Sequence, residues 1–444
     1  MMGILLDIAY GATLLVCWPI WLYRMIKHGR YRTDWHQRFG AAPVSYGLQP
    51  TIWIHGVSLG EINAARTLVQ ELHSQLPHCR IVISSTTETG MAAAERLYAP
   101  DHTVFRWPLD FTWAVRKAIR RVQPKLVVLM EGEAWPNFLH ECNCRDIPAV
   151  IVNGRISPDK GYPRYRKLGR IAAKLFNRLS AIGVQDERYA EMFLDLGVDA
   201  CKLHLTGMMK FDTVEIADDL PGQDALAAAL GLGDRPLWVA GGTGPGEEQH
   251  VIDAYKQLRK AHPNLILAIV PRKPERFDDV ATLIGSSGLA CIRRSERADG
   301  TEGDLPEGSV ILGDTMGELR TFYALSTVAF VGRSLVPMGG SDMIEVAALG
   351  KPTCYGPHTF NFPQADDLLM HGCRRIKGPA DLLDTVAAWL SGPAAIEDGR
   401  RAREYVRSQQ GATRRNVELI CHVLDLVPAR APGQIATPAV HAVS

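Results

Sequence analysis

A chain of 444 residues, 46% of them hydrophobic and 22% charged, has the length and composition of a globular protein with two or three domains. Its 49 Lys and Arg nearly equal its 48 Asp and Glu, so no global charge favours nucleic acid or another polyanion. Nine cysteines lack the spacing of a disulfide framework, which indicates a reducing compartment. The lone C-x-C pair, Cys142 and Cys144, is too small a ligand set for structural zinc, and we predict no metal site.

The most apolar stretch is residues 4–26, which is interrupted by Asp7 and Pro19. A cleaved signal peptide fits poorly, because no positive charge precedes the stretch and no A-x-A site follows it. The basic residues come afterwards: Arg24, Lys27, Arg30, Arg32 and Arg38. By the positive-inside rule the rest of the chain is then cytoplasmic. We predict a membrane anchor over residues 1–26, with Asp7 among the lipid headgroups, and a basic juxtamembrane segment over 27–49. The alternative is a buried N-terminal core helix.

From residue 50 onward, short apolar runs alternate with helical patterns, which predicts parallel strands joined by crossover helices. The first set of predicted strands is 51–55, 80–85, 103–107, 125–130, 149–153 and 181–185. An amphipathic helix follows the first strand, with one apolar face formed by Ile62, Ala65, Leu68, Val69, Leu72 and Leu76. We assign this lobe to residues 50–215.

An acidic, Gly-containing connection at residues 213–235 leads into a second α/β lobe. We assign this lobe, together with most of the connection, to residues 216–410. Its predicted strands are 237–241, 265–270, 310–313, 328–331 and 353–355. A C-terminal helix over 411–425 and a loose tail over 426–444 complete the chain. Ligands of doubly wound sheets bind at the carboxyl ends of the strands, and in two-lobed chains the active site usually lies in the cleft between lobes.

Several loops after these strands carry residues that suit chemistry. Glu61 follows the first strand at a helix start, where it is either an acid that complements the helix dipole or a functional carboxylate. The Gly-rich stretches "GGTGPGEE" at 241–248 and "MGGSDMIE" at 338–345 are either ordinary tight turns or loops whose N–H groups approach a phosphate. Neither fits the P-loop or the dinucleotide fingerprint. Arg272, in "VPRKPER", can bind a phosphate bidentately.

A set of motifs resembles the bacterial Kdo transferase family, the 3-deoxy-D-manno-octulosonic acid transferases. The motifs run in order along nearly the whole chain: "HGVSLGE" at 55–61, "EGEAWPN" at 131–137, "VNGRIS" at 152–157, "TGMMKFD" at 206–212, "PRKPERF" at 271–277, "GDTMGEL" at 313–319, "GRSLVPMGGSDMIE" at 332–345 and "GPHTFNF" at 356–362. "YRTDWHQRFG" at 31–40 also resembles the family's basic stretch after the anchor.

The resemblance implies a GT-B architecture, with two Rossmann-like lobes facing a central cleft, acceptor bound mainly by the first and sugar nucleotide by the second. It implies an inverting glycosyltransferase that moves Kdo from CMP-Kdo to a lipid A precursor (lipid IVA) in lipopolysaccharide core biosynthesis, on the cytoplasmic side of the inner membrane. The position of Glu61 matches the family's general base. Glu131 and Lys210 match residues that stabilise the transition state. Without a catalytic role, Glu131 would be an acid that holds its loop and Lys210 a solvated surface lysine.

The family's CMP contacts match nine positions in the second lobe: Pro271, Arg272, Met316, Gly317, Glu318, Asp342, Met343, Ile344 and Glu345. We favour Glu345 for the ribose hydroxyls, because a carboxylate accepts from two neighbouring O–H groups. The phosphate would then lie over Gly339 and Gly340. No cofactor or metal is expected.

The chain departs from the family pattern at Gly132, Arg333, Lys273 and Ser341–Asp342. The family commonly has Thr, Gly, His and the pair His-Asn at these places, so rearranged donor contacts are expected. Two other function classes stay open: another GT-B nucleotide-sugar enzyme, such as an epimerase or a different membrane glycosyltransferase, and a non-catalytic binding paralogue. The presence of Glu61, Glu131 and Lys210 argues against a non-catalytic paralogue, since a protein that has lost its enzymatic activity tends to lose such residues.

Overall fold

The computed structural model describes residues 2–28, 33–44, 47, 49–297 and 305–425. The chain forms two compact units, one made of residues 1–213 with 410–444 and the other of residues 214–409. The predicted loose tail, 426–444, lies outside the described residues, as do Arg30 and Arg32 of the basic segment. The functional labels given to the lobes stay predictions.

The first unit contains a sheet of seven parallel strands in the order β3-β2-β1-β4-β5-β6-β7. The strands are β1 Thr51–Gly56, β2 Arg80–Ser85, β3 Thr103–Arg106, β4 Pro124–Met130, β5 Ala149–Gly154, β6 Ala181–Val184 and β7 Leu203–Leu205. The helices are α1 Met2–His28, α2 Trp35–Arg38, α3 Leu59–Gln75, α4 Glu88–Tyr98, α5 Thr112–Val122, α6 Pro136–Asn143, α7 Gly161–Leu168, α8 Arg170–Phe176 and α9 Glu187–Asp195. Two 3-10 helices span Ala200–Lys202 and Met209–Thr213.

Both faces of this sheet are covered, which explains why its strands read as continuous apolar runs. Successive side chains point to opposite faces. In β1, Trp53 enters the core cluster that contains Phe138, whereas Ile52 and Ile54 enter the cluster that contains Ile62 of α3.

The second unit repeats this plan, with seven parallel strands in the order β10-β11-β9-β8-β12-β13-β14. The strands are β8 Leu237–Thr243, β9 Ile266–Pro271, β10 Cys291–Arg293, β11 Val310–Leu312, β12 Val328–Val331, β13 Thr353–Tyr355 and β14 Arg374–Arg375. The helices are α10 Gln223–Ala229, α11 Glu248–Leu258, α12 Phe277–Ser286, α13 Leu319–Leu325, α14 Ile344–Ala348, α15 Ala365–Met370, α16 Pro379–Ser391 and α17 Ala394–Gln409. Two 3-10 helices span Pro274–Arg276 and Arg294–Glu296. The prediction of two α/β lobes with parallel sheets is confirmed.

The last helix, α18 (Ala412–Asp425), belongs to the first unit although it follows the second along the chain. Its apolar side chains Val417 and Ile420 lie in the same core cluster as Ile62 of α3. The hydroxyl groups of Thr67 and Thr413 are 3.1 Å apart and join α3 to the start of α18.

The N-terminal stretch forms the helix α1, but its polar residues dock on the first unit. An Asp7 oxygen accepts hydrogen bonds from the Thr112 N–H (2.9 Å) and the Asn137 side-chain amide (3.0 Å). Asp7 thereby satisfies a free N–H at the start of α5, and the Tyr10 hydroxyl donates to Asp110 (3.1 Å). Within the part of the chain that the structure describes, no helix is both long and apolar enough to cross a membrane.

These contacts do not support the membrane anchor predicted for residues 1–26 as a transmembrane helix. Asp7, which that prediction placed among lipid headgroups, instead caps α5. Arg38 is one of the basic residues that follow the apolar stretch, within the segment predicted to be juxtamembrane. Its side chain is buried and its guanidinium donates to Glu88 (3.2 Å).

Candidate active site

Glu61 lies in the first turn of α3, directly after the central strand β1. Ser58 is the N-cap residue, and its hydroxyl accepts from the Glu61 N–H (3.4 Å). The Glu61 carboxylate turns back and accepts from the Val57 N–H (2.7 Å) and the Ser58 hydroxyl (2.9 Å). Ser58 and Glu61, three residues apart, bind each other much as in a capping box, except that Glu61 accepts from the N–H of Val57, the residue before the N-cap. Through these hydrogen bonds, Glu61 stabilises the start of α3.

The environment of Glu61 also prepares it for proton transfer. The residue is 7% exposed, and burial, followed by the negative charge of Glu131, raises its pKa to about 7. The hydrogen bonds from Val57 and Ser58 oppose this rise, and Glu133 adds to it. A carboxyl group with a pKa near neutrality suits general-base catalysis, because it is both available as a base and basic enough to take a proton.

Glu131 follows β4, the strand next to β1, and its backbone has an unusual conformation. Its φ is 63°, in the left-handed region that non-glycine residues seldom adopt. The carboxylate pairs with Arg155 Nε at 2.7 Å, and the Glu131 carbonyl accepts from the Arg155 N–H (3.1 Å). A Cβ on the next residue, Gly132, would lie 2.5 Å from the Arg155 carbonyl oxygen. In this chain the close backbone approach leaves no room for a side chain at residue 132, where the family commonly has Thr.

Lys210 lies on the 3-10 helix Met209–Thr213, which is held by a side chain at the end of β5 and by backbone N–H groups at the start of α18. The Asn153 side-chain oxygen accepts from the Met209 N–H (3.0 Å), and Asn153 itself has a left-handed φ of 53°. Asp212 accepts from the Gly411 N–H (2.6 Å) and from the Thr413 N–H at the start of α18. Met209 also lies in the core cluster that includes α3, the helix of Glu61. The structure thus brings Glu61, Glu131 and the Lys210 turn to one edge of the first sheet.

The predicted CMP contacts of the second unit follow three strands of its sheet. Pro271 ends β9, and the exposed Arg272 follows it, with its N–H donating to the Thr243 carbonyl (3.1 Å). Met316 and Gly317 are exposed after β11. The Glu318 carboxylate is occupied by Arg294, whose Nη2 lies 2.7 Å from it. The Glu318 side chain is 27% exposed beside this ion pair.

The third group, residues 342–345, follows β12 and begins α14. Asp342 accepts from the Ile344 N–H (3.0 Å). The side chains of Met343 and Ile344 are fully buried, so only their backbone could face a ligand. Glu345 is partly exposed in the first turn of α14 and stays the candidate for a hydroxyl-binding carboxylate.

Two backbone N–H groups in the predicted phosphate-binding loops already have protein partners. The Gly340 N–H donates to the Arg333 carbonyl (2.7 Å) and the Gly244 N–H donates to Glu247 (2.9 Å). A phosphate over Gly340 could not use that N–H without breaking a bond.

Sequence comparisons identify the family. The profile described as 3-Deoxy-D-manno-octulosonic-acid transferase (kdotransferase) matches residues 33–213. A 3-deoxy-D-manno-octulosonic acid transferase of Haemophilus influenzae is 34% identical over 426 residues, covering 93% of this chain and 97% of the relative. One of Bordetella pertussis is 33% identical over 419 residues, covering 90% and 95%.

The chain belongs to the Kdo transferase family. It is therefore a glycosyltransferase.

Solved structures of low sequence identity share the fold of this family member. MurG of Acinetobacter baumannii is 13% identical, with a TM-score of 0.54 over 84% of this chain and all of that one. A Listeria monocytogenes protein assigned as UDP-N-acetylglucosamine 2-epimerase is 12% identical, with a TM-score of 0.56 over 86% and 98%. Because this Kdo transferase shares its architecture with a protein assigned as an epimerase, the fold alone does not decide the reaction.

Besides Gly132, two more departures of this Kdo transferase from the family pattern have a structural account. Arg333 takes a left-handed φ of 57° where the family commonly has glycine, the residue that adopts this conformation most easily. Ser341, at the place of the usual histidine, is buried and donates to the Gly242 carbonyl (3.0 Å). Three residues that sequence analysis missed also hold the site: Asn153, Arg155 and Glu247. The "VNGRIS" motif contained the first two, but nothing in it indicated which partners they bind.

Proposed function

We propose that this protein transfers Kdo from CMP-Kdo to a lipid A precursor, lipid IVA, with inversion at the anomeric carbon. The observation that carries the proposal is the buried carboxylate of Glu61, whose pKa is raised to about 7 at the carboxyl edge of the first sheet. The choice of Kdo as the sugar rests on membership of the Kdo transferase family, and the choice of nucleotide and acceptor rests on the motif matches.

In the proposed reaction, Glu61 removes the proton from an acceptor hydroxyl group as the oxygen attacks the anomeric carbon of Kdo. A new C–O bond forms on one face while the bond to the CMP phosphate breaks on the other, and the phosphate leaves with the electron pair. Lys210 stabilises the negative charge that develops on the departing phosphate. Glu131, held by Arg155, stabilises the positive charge that develops on the sugar ring and keeps the pKa of Glu61 raised.

Donor binding is assigned to the second unit. Arg272 is exposed directly after β9, where its guanidinium can form two hydrogen bonds to a phosphate. Glu345 accepts from ribose hydroxyl groups, and the backbone of residues 316–318 and 342–344 forms the remaining contacts. These roles rest on the motif matches and on the exposure of the residues concerned.

The acceptor is a lipid, and we propose that α1 lies on the cytoplasmic surface of the inner membrane instead of crossing it. Large apolar side chains are exposed along α1, including Leu15 (81%) and Ile26 (68%). Trp18 and Tyr23 are exposed aromatic residues of the kind that favour the membrane interface. Such a helix contributes apolar area to the acyl boundary without spanning it.

The reaction is tested by incubating the purified protein with lipid IVA and CMP-Kdo generated in place, and by mass spectrometry of the lipid. We expect products heavier by one or more Kdo units. The Glu61→Gln variant should bind CMP normally and lose turnover by about 10²- to 10⁴-fold, the usual contribution of a general base. Near-normal turnover in that variant would return Glu61 to a purely structural capping role. Epimerisation or release of free sugar without acceptor would instead support the alternative nucleotide-sugar enzyme.

The donor assignment is tested by thermal unfolding with nucleotides. CMP should protect the second unit more than UMP or UDP does, and Arg272→Ala should remove most of that protection. Arg400→Ala is the control, because Arg400 is an exposed arginine on α17 that pairs with Glu397 and Glu404. Equal protection by uridine nucleotides would contradict the CMP assignment.

Membrane attachment is tested by sedimentation with anionic lipid vesicles. The double variant Leu15→Glu/Ile26→Glu should lose binding, because charged groups are costly to place in the acyl boundary. Ile396→Glu is the control, since Ile396 is a similarly exposed apolar residue (77%) of the second unit. Deletion of α1 is a poorer test because Asp7 and Tyr10 hold part of the first unit. Unchanged sedimentation of the double variant would mean that α1 is not the attachment site.

A further inference from the structure

The second unit contains a carboxylate that is completely buried and accepts four backbone hydrogen bonds. Glu247 is 0% exposed and lies at the N-cap position of α11, after the central strand β8. One donor is the N–H of Gly244, from the same loop. The other three are consecutive N–H groups after β12: Arg333 (2.5 Å), Ser334 (2.8 Å) and Leu335 (2.8 Å). Glu247 therefore joins the loops that follow two neighbouring strands.

Ser334 extends this connection to a third loop. Its hydroxyl accepts from the Gly356 N–H (2.8 Å), and its carbonyl accepts from the His358 N–H (2.9 Å), both of which follow β13. The Arg333 carbonyl accepts from the Gly340 N–H (2.7 Å), which fixes the segment leading to residues 342–345. The loops after β8, β12 and β13 are thus linked through the peptide groups that Glu247 binds.

The chemistry of this arrangement is that of an anion-binding concavity filled by the protein's own side chain. Successive backbone N–H groups that converge on one point favour a negative charge. Buried N–H groups without an acceptor are costly, so a carboxylate at this place orders the loops that supply them. Because Glu247 is fully buried and its oxygens already accept four N–H groups, it acts without touching the nucleotide.

We propose that Glu247 is a positioning residue of the donor site, which holds the loops after β8, β12 and β13 in the conformation that binds the cytidine nucleotide. The inference rests on the proposed donor, CMP-Kdo, and adds a residue that neither the motif matches nor the exposed surface of the site assigns. It also explains why Arg333 keeps a left-handed backbone: its N–H must point at the Glu247 carboxylate.

The next residue in the chain provides a matched control. Glu248 is also buried, at 1% exposure, but its carboxylate binds the Arg276 side chain (2.5 and 3.2 Å), on the 3-10 helix that follows β9, and none of the loops after β8, β12 and β13. Glu247→Gln replaces one acceptor oxygen with an NH₂ group that faces N–H donors, whereas Glu248→Gln weakens an ion pair. Both variants should lower the unfolding temperature.

The deciding measurement is the dissociation constant for CMP, by calorimetry on the full-length protein. Glu247→Gln should raise it about tenfold or more, the effect of losing one to two hydrogen bonds from the binding conformation, while Glu248→Gln should stay within about twofold of wild type. Hydrogen exchange should show faster exchange of the amides in segments 244–247 and 333–335 only in Glu247→Gln, with β8 and β12 still protected.

Several outcomes would overturn the inference. One is CMP affinity of Glu247→Gln within about twofold of wild type, and another is an equal loss in Glu248→Gln, which would indicate a general effect of stability. If Glu247→Gln does not fold, Glu247→Asp keeps the acceptors on a shorter side chain and is judged by the same criteria. Wild-type protein that does not bind CMP would overturn the donor assignment itself, and this inference with it; wild-type binding with unaffected variants would overturn the inference alone.

Discussion

Each unit has a carboxylate at the helix start that follows a central strand, and the two carboxylates differ in what surrounds them. Glu61 follows β1, which lies between β2 and β4, and Glu247 follows β8, which lies between β9 and β12. Glu61 accepts one backbone N–H and one hydroxyl from its own turn. Glu247 accepts four backbone N–H groups from two loops. The helix start after a central strand thus holds a candidate base in one unit and a structural link in the other.

The number and origin of the donors explain the difference. A carboxylate that accepts from several fixed, buried N–H groups cannot easily exchange them for other partners, because each lost hydrogen bond leaves a buried donor unsatisfied. Glu61 has fewer fixed donors and two neighbouring acids, and its raised pKa follows from burial and from Glu131. Location at a helix start is therefore insufficient to assign a role; the hydrogen-bond partners assign it.

The pH dependence of turnover is the largest effect that sharpens this comparison. If Glu61 is the base, kcat/KM, which reports ionisation of the free enzyme, should rise roughly hundredfold between about pH 5 and pH 8, because only the ionised carboxylate accepts the proton. The midpoint should lie near the Glu61 pKa of about 7. A profile that is flat across this range, measured with the mass-spectrometric assay, would place Glu61 beside Glu247 as a structural residue.

The two carboxylates should also affect stability with opposite signs. The folded-state pKa of Glu61 is raised from 4.5 to about 7, so its stabilising contribution is complete below about pH 4.5 and is lost as pH rises through about 7. The free energy of unfolding of Glu61→Gln, taken relative to wild type, should therefore be about 2 kcal/mol higher at pH 8 than at pH 5. Glu247→Gln should lose about 1–3 kcal/mol at both pH values, because it leaves buried donors unsatisfied. Denaturant unfolding of each unit at the two pH values measures this, and a gain in both variants would remove the contrast.

Neighbouring charge provides a smaller effect. Glu131 is the largest cause of the raised Glu61 pKa after burial, and Glu133 is the smallest named cause. Glu131→Gln should move the midpoint of the pH–rate profile downward by about half to one pH unit, whereas Glu133→Gln should move it less. Any residual activity of the variants suffices for the measurement, since the midpoint and not the maximal rate is compared. Equal shifts would contradict the larger effect on the Glu61 pKa that is assigned to Glu131.

The smallest effect concerns Arg333, whose N–H binds Glu247 with a left-handed backbone. Arg333→Gly should leave stability unchanged or raise it by up to about 1 kcal/mol, because glycine adopts this conformation without steric cost. Arg333→Val should destabilise the second unit, since a β-branched residue is disfavoured at this φ. Thermal unfolding compares the two, and greater destabilisation by glycine would mean that the Arg333 side chain stabilises the loop.

The central strands could be predicted from the sequence because burial on both faces leaves continuous apolar runs, as in β4 and β12. The edge strands β7, β10 and β14 could not, because "LHL", "CIR" and "RR" are too short and too polar to show a period. The apolar run of α1 was recognisable as a helix. Its contact through Asp7 was not, because the partners Thr112 and Asn137 lie more than 100 positions away.

The candidate site shows the same limit. Glu61, Glu131 and Lys210 were named from motifs, and their catalytic roles stay predictions. The adjacent acids of "GPGEE" look alike in sequence, and only the fold reveals that Glu247 binds loops while Glu248 binds Arg276. The Gly-rich loops predicted to bind phosphate use part of their N–H groups internally, because a side chain of the same lobe supplies the anion.

The return of α18 to the first unit has a consequence for the order in which the protein is completed during synthesis. Asp212 binds the N–H groups of Gly411 and Thr413, so the turn that carries Lys210 lacks these partners until α18 has emerged from the ribosome. Domains generally fold in the order in which they are translated. Here the unit that begins first is finished last, and a nascent chain that ends before α18 has the whole second unit but an incomplete lysine turn.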